Sequence, residues 1–152
     1  LGTGAVTING HSWNSPQARE LVQLAAGPGA SLTHYTGPER FDILPLLVAT
    51  DGAIEHMRID GRRLRPNLII GGVEGLEERQ WPGRRLRIGT AVLHMAQLRG
   101  RCVMTTYDPD TQQQDLTVLK RIARELEGTM ALDTAVEATG WIREGDTVSI
   151  LP

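Results

Sequence analysis

The sequence is short of several things. It has one cysteine, Cys102, one lysine, Lys120, and only three tryptophans, two tyrosines and one phenylalanine. A lone cysteine excludes an internal disulfide. It also excludes a Cys-rich zinc site or a Cys-ligated iron–sulfur cluster held by this chain alone. A single lysine with no glycine-rich loop before it excludes a P-loop. Lys120 sits beside Arg121 in a polar helical stretch, where a buried Schiff-base amine is not expected, so pyridoxal phosphate is not expected on this chain. No segment approaches the roughly 20 apolar residues that span a bilayer, and no basic-then-apolar leader opens the chain. The expectation is a cytoplasmic protein with a reduced thiol and no membrane partner.

What is present reads as globular: 152 residues, 40% apolar and 22% charged, which fits one domain. The net charge of −2 hides an asymmetry. Residues 58–101 carry ten arginines against four acids, while the remainder carries six bases against fourteen acids. A basic middle in an acidic protein points to a local anion site rather than a nucleic-acid surface. Trp13, Trp81 and Trp141 are far apart in sequence and stand at element boundaries, as packing anchors rather than a stacking groove for nucleic acid.

Periodicity and punctuation give a coarse map. Residues 5–8 read as a short strand before the Asn9-Gly10 turn. Ser15-Pro16 opens a helix through about residue 26, and residues 31–36 read as a strand. Residues 46–49 form a buried strand, after which Thr50 or Asp51 caps a short helix over about 51–58. Residues 68–70 form a second buried strand. Residues 73–82 form an acidic loop, in which Glu74, Glu77 and Glu78 read as solvated. Strands follow over 84–88 and 91–97, across the Gly89-Thr90 turn. The best later helix is 116–126, with Leu116, Leu119, Ile122, Ala123 and Leu126 in one stripe. Strands at 130–138 and 147–151 complete the chain. The fold class is mainly β with a few helices, a barrel rather than a parallel βαβ sheet. The pentapeptide GRRLR occurs at 61–65 and 83–87 with different flanks, a chance echo rather than a repeat.

Two clusters carry chemistry. In the first, Cys102 lies between Arg99, Gly100 and Arg101 on one side and Thr105-Thr106 on the other. Positive neighbours favour the thiolate, and Gly100 lets backbone come close to a ligand. The residues alone leave Cys102 open between a reactive thiol and a small buried hydrophobe. In the second cluster, Arg65 and Asn67 of an extended segment point to one face, offering a charged fork and an amide to a phosphate and a polar heterocycle. His11, His34, His56 and His94 lack metal-ligand spacing.

The order of these segments resembles a known family. Leu46-Leu47-Val48-Ala49-Thr50 is followed by Arg65-Pro66-Asn67, then by Trp81-x-Gly83-Arg84-Arg85-Leu86-Arg87-Ile88-Gly89. Arg101-Cys102-x-x-Thr105-Thr106-x-Asp108-Pro109-Asp110-Thr111 comes next, and Gly145-Asp146-x-Val148 last. This series resembles the MOSC domain, named for the C-terminal domain of molybdenum cofactor sulfurases, in the branch with the amidoxime-reducing molybdenum enzymes. The resemblance covers about 41–152. It implies a single domain over 1–152, a MOSC-type mixed β-barrel with a divergent or truncated amino-terminal part over 1–40.

The resemblance further implies a molybdopterin-type molybdenum cofactor. Cys102 would ligate the metal or carry sulfur, in agreement with the soft character of a thiolate. Arg65, Asn67 and Arg101 would hold the cofactor, Thr50 and Gly100 would line it, and Asp108 would orient the loop. The function implied is redox or sulfur-transfer chemistry. If the chain is an enzyme, it is a molybdenum-dependent oxidoreductase or a sulfur-transfer component. The alternative is a sulfur carrier or a binding module without catalysis. The implied partners are a cysteine desulfurase or an electron-transfer protein, and an exposed strand edge is open to a second copy in a homodimer. Three features depart from the family pattern. A lysine-bearing amino-terminal segment has no counterpart, Gly100 replaces a frequent serine, and Asp133 falls near the place of a tyrosine.

Overall fold

The computed structural model describes residues 6–35 and 43–152. The chain divides into two compact units, Leu1–Glu39 and Arg40–Pro152. In the first, β1 (Thr7–Ile8) and β2 (His11–Ser12) pair antiparallel. Asn9 and Gly10 between them have φ of 46° and 81°, the positive values that a two-residue hairpin turn of matching twist requires. Ala5, the start of the expected strand, lies outside the described residues. Helix α1 (Pro16–Ala26) starts as the sequence dictates: the Ser15 hydroxyl accepts the Ala18 N–H at 3.2 Å and proline holds the first helical position. The strand expected over 31–36 is not formed at 31–35, and Thr36 lies outside the described residues. A strand needs a ladder partner, and β1 and β2 pair only with each other. The Trp13 ring lies 5.8 Å from that of His34, tilted by 42°.

The second unit is built on one six-stranded sheet of order β4-β3-β7-β6-β5-β8. Its strands are β3 (Leu46–Thr50), β4 (Leu68–Ile70), β5 (Arg85–Ile88), β6 (Ala91–Gly100), β7 (Thr129–Ala138) and β8 (Val148–Leu151). Every pairing is antiparallel except β3 with β4, which is parallel and is bridged through helix α2 (Asp51–Met57). The sheet curls into a half-barrel. One core, with Val48, Leu86, Leu93, Met95 and Leu132, lies on one side of it. Ala49, Met57, Leu64, Ile122 and Met130 form the other with α2 and α3 (Leu116–Leu126). In α3 the buried stripe is Val118, Ile122 and Leu126, while Leu116 is exposed. The Asp115 carboxylate caps this helix by accepting the Thr117 N–H at 2.9 Å. That makes Leu116 the first helical residue, too early in the turn to reach the core.

Two expectations are corrected here. Trp141 is 74% exposed and anchors nothing, whereas Trp81 is buried. The acidic loop contains a 3-10 turn, Glu77–Gln80, whose second residue is not solvated: Glu78 is 1% exposed. Its two oxygens answer two donors, the Thr50 hydroxyl at 2.7 Å and the Ala131 N–H at 3.0 Å. Ala131 sits inside β7 with φ of 66°, a left-handed conformation that a non-glycine residue holds only when its surroundings enforce it. In that conformation its N–H meets the Glu78 carboxylate. The same Thr50 hydroxyl accepts the Ala53 N–H at 3.3 Å and so caps α2.

Burial pushes the Glu78 carboxyl above the ordinary glutamate value of 4.5, against the bonds from Thr50 and Ala131. The folded state therefore binds this proton more tightly than the unfolded chain. The stability contributed here is complete below the unfolded pKa and declines as pH rises through the folded one. Glu78→Gln removes the titration. Denaturant unfolding of both proteins should show wild-type stability falling relative to the variant as pH rises from about 4.5. A difference that grows in the wild type's favour with pH would contradict this. Glu78→Leu leaves Thr50 and Ala131 without an acceptor and should cost about 2–5 kcal/mol at low pH, and less as pH rises.

Candidate functional site

The C-terminal half of β6 and the segment after it carry the chemistry. Alternation along a strand sends every second side chain to one face, and Gln97 and Arg99 both reach Asp133 on β7. Arg99 donates to Asp133 Oδ1 at 2.9 Å, and Gln97 Nε2 donates to Oδ2 at 3.2 Å. Beyond Gly100, the Arg101 N–H is taken by the Gly128 carbonyl at 2.8 Å. Cys102 is extended, with φ of −117° and ψ of −179°, and the 3-10 turn Val103–Thr106 follows. The Cys102 side chain is exposed, so it is not the small core hydrophobe that its rarity allowed.

The hydroxyl pair beside the cysteine faces inward. The Thr105 hydroxyl donates to the Cys102 carbonyl at 2.9 Å and the Thr106 hydroxyl to the Val103 carbonyl at 2.6 Å. Both residues are fully buried, and they tighten the turn that presents the thiol. The following loop is tied by Asp108, whose Oδ1 accepts the N–H groups of Asp110 and Thr111 and the Thr111 hydroxyl. Arg63 donates to Asp108 Oδ2 at 2.9 Å and to the Thr106 carbonyl at 2.9 Å. These bonds hold the Asp108 carboxyl below the usual carboxylate range.

Arg65 and Asn67 do not lie in an extended run. Gly61–Leu64 forms a 3-10 turn capped by Asp60, and Arg65 is left-handed with φ of 57°. The same-face argument from strand alternation therefore fails. Asn67 is fixed differently: its N–H donates to the Leu47 carbonyl at 2.8 Å, and its side-chain oxygen accepts the Leu47 N–H at 2.7 Å. The carboxamide thus imitates a strand neighbour for Leu47, which leaves its NH2 as the group free to meet a ligand.

These segments meet at a cleft of about 430 Å³ lined by Arg65, Asn67, Gly100, Arg101 and Cys102, with Arg99 and Asp133 in its wall. Leu44, Leu46, Leu47 and Met104 give it apolar flanks. Thr50 is not among the lining residues, since its hydroxyl is spent on Glu78 and the α2 cap. Among the described lining residues three arginines stand against one carboxylate, an electropositive set. A wider groove of about 950 Å³ lies between the edge strands β4 and β8; its walls mix apolar residues with Glu77, Arg143, Glu144 and Asp146 and include no thiol.

The geometry of Arg101 bears directly on what the cleft holds. One terminal nitrogen donates to the Leu64 carbonyl at 2.8 Å, while the buried Nε–H has no partner. Burial, and Arg99 beside it, push the guanidinium pKa down, while Cys102 and Asp133 pull it up. Buried donors in native proteins are ordinarily satisfied, so this one calls for an acceptor from a ligand. Among the described residues no three His, Cys, Asp or Glu side chains gather around a common point. The cleft therefore offers a metal one protein ligand, Cys102, and offers an anion Arg101, Arg65 and the Asn67 amide. That donor set fits an anionic cofactor carrying a soft metal. Sequence reasoning missed the bonding of Asp133 to Arg99 and Gln97. An acid among the apolar residues of 130–138 was the available signal, because a buried acid is rare without a partner.

A model of the MOSC domain family matches residues 46–149. Mitochondrial amidoxime reducing component 2 of Homo sapiens is 29% identical over 126 residues, covering 70% of this chain and 37% of that protein. Mitochondrial amidoxime-reducing component 1 of Mus musculus is 30% identical over 129 residues, covering 72% and 37%. The chain thus spans a little over a third of the length of these curated relatives. Among solved structures, YiiM from Geobacillus stearothermophilus shares the fold, with a TM-score of 0.53 at 16% identity over 70% of this chain and 54% of that one.

A side chain added at Gly100 meets nothing within 4 Å, whereas one at Gly140 would lie 2.4 Å from the Thr90 carbonyl carbon. Gly100→Ser should therefore change stability by no more than about 0.5 kcal/mol, and Gly140→Ala should cost at least about 1 kcal/mol. Urea unfolding of both variants checks the contrast. Equal losses would mean that the space above Gly100 is not open.

Proposed function

Because the chain belongs to the MOSC domain family, we propose that its cleft binds an anionic molybdopterin-type molybdenum cofactor, with the Cys102 thiolate as ligand to the metal. The observation that carries this reading is the convergence of an exposed thiol with a buried, unanswered Arg101 Nε–H in one electropositive cleft. When bound, the cofactor supplies redox chemistry at a thiolate-ligated metal. The chain's own residues do the rest. Arg101 would offer its Nε–H to an acidic group of the cofactor. Arg65, at the exposed rim, pairs with phosphate through its planar fork. The Asn67 NH2 donates to an acceptor of the heterocycle. Leu44, Leu46 and Leu47 give the ring system an apolar wall and limit water on that side.

The relatives' names concern amidoxime reduction, and a reductive reaction of that kind is the activity proposed for the loaded protein. An electron-transfer protein would then be its partner. The exposure of Cys102 favours one second reading, sulfur carriage. There the thiolate attacks the outer sulfur of a donor persulfide from a cysteine desulfurase. The persulfide forms on Cys102 and the donor leaves as its own thiolate.

Production in a host that makes the cofactor, followed by metal and pterin analysis, tests the main reading. Wild type should carry both. Cys102→Ser should lose most of its molybdenum, and Arg101→Leu should lose metal and pterin together. Equal molybdenum in wild type and Cys102→Ser would sink the ligand role. A persulfide on Cys102 after incubation with a desulfurase, in protein that takes up no molybdenum, would favour sulfur carriage.

A further inference from the structure

Asp133 is the single carboxylate among the described residues that line the cleft. Its side chain is 2% exposed, so it cannot itself meet a ligand. It stands opposite Gln97 at a register shift between Met95 and Gln97, and bulges of this kind re-aim side chains. Both Asp133 oxygens are used there, one by Arg99 and one by Gln97. Arg99, with an 18% exposed side chain, is thereby drawn into the wall. Arg101, two residues on, has a terminal nitrogen on Leu64 and an Nε–H with no acceptor. Arg99 and Arg101 line the same cleft. One cation is thus answered within the protein, while its neighbour is left with a donor to spare.

We infer that Asp133 is a positioning residue, which keeps the Arg99 guanidinium in the wall so that Arg101 is the cation that meets an anion beside Cys102. The inference rests on the reading of the cleft as an anion site. It adds the device that selects one of two adjacent arginines. Asp133 acts through Arg99, and its removal would loosen the hold of the wall on that second cation. Anions would then bind more tightly, with Arg99 as a second contact beside Arg101.

The test uses the full chain without cofactor, inorganic phosphate as probe, and NMR of the arginine Nε–H groups. In wild type, phosphate should shift the Arg101 signal and leave that of Arg99 in place. In Asp133→Asn the Arg99 signal should respond as well, and phosphate should bind about threefold or more tightly because one negative charge is gone. Asp133→Glu should restore the wild-type pattern. Should Asp133→Asn fail to fold, Arg99→Met/Asp133→Leu removes the buried pair as a unit, a change that proteins commonly tolerate. It should keep phosphate on Arg101 with an affinity within about twofold of wild type, since the net charge is unchanged. A response of Arg99 to phosphate in wild type would overturn the inference. So would loss of phosphate from the double variant, or a folded Asp133→Asn identical to wild type. Failure of phosphate to shift Arg101 in wild type would instead remove the anion-site reading, and this inference with it.

Discussion

A buried N–H must be answered, and the fold buries the Arg101 Nε–H without answering it. The Leu64 carbonyl takes one donor and the Nε–H is left over. An unsatisfied buried donor costs about 1–3 kcal/mol, a standing incentive for an acceptor to occupy the cleft. The position of Arg101 depends on three separate pieces of chain. Its backbone is held by Gly128 just before β7, its side chain by the end of the Gly61–Leu64 turn, and its field is shaped by Arg99 and Asp133 across the β6–β7 ladder.

The surroundings of Cys102 are rigid for related reasons. Thr105 and Thr106 close the turn behind it through their hydroxyls. Asp108 gathers the next loop, and Arg63 ties that loop back to the turn preceding Arg65. Arg62 adds a bridge between Asp60 and Asp110, though at such exposure an ion pair contributes little. Arg62, Arg63 and Arg99 of the basic cluster are therefore paired within the protein. Arg65 and Arg101 are the ones placed for a ligand. A basic stretch in the sequence is thus divided by the fold into braces and binding groups.

Local chemistry made much of the fold legible. Ser15-Pro16, Thr50 and the Asn9-Gly10 turn act through groups within three residues of themselves, so reading them needs no tertiary knowledge. The parallel β3–β4 pair and the burial of Glu78 were not legible, because both depend on partners 20 or more residues away. Thr50 shows the limit well. Its hydroxyl was open to a ligand on sequence grounds, yet Glu78, 28 residues on, takes it. Arg65 and Asn67 reach the cleft, but through a left-handed residue and a side chain that pairs with Leu47 rather than through strand alternation. Asp133 was noticed only as a departure from a pattern. Its bonds to Arg99 and Gln97 arise from a bulge between β6 and β7 that alternation cannot foresee.

The family match and the cleft point the same way from independent grounds, one from residues 46–149 as a series and the other from donors that meet in space. Both leave the proposed chemistry resting on one bond, from Cys102 sulfur to a metal. An anomalous-difference map collected above the molybdenum edge, from crystals of protein produced in a cofactor-making host, tests that bond most directly. The account predicts a peak at bonding distance from Cys102 Sγ, with Arg101 Nε donating to an acidic group of the same ligand. Molybdenum bound elsewhere on the chain, or a cleft that stays empty while the host's other molybdenum proteins are loaded, would contradict it.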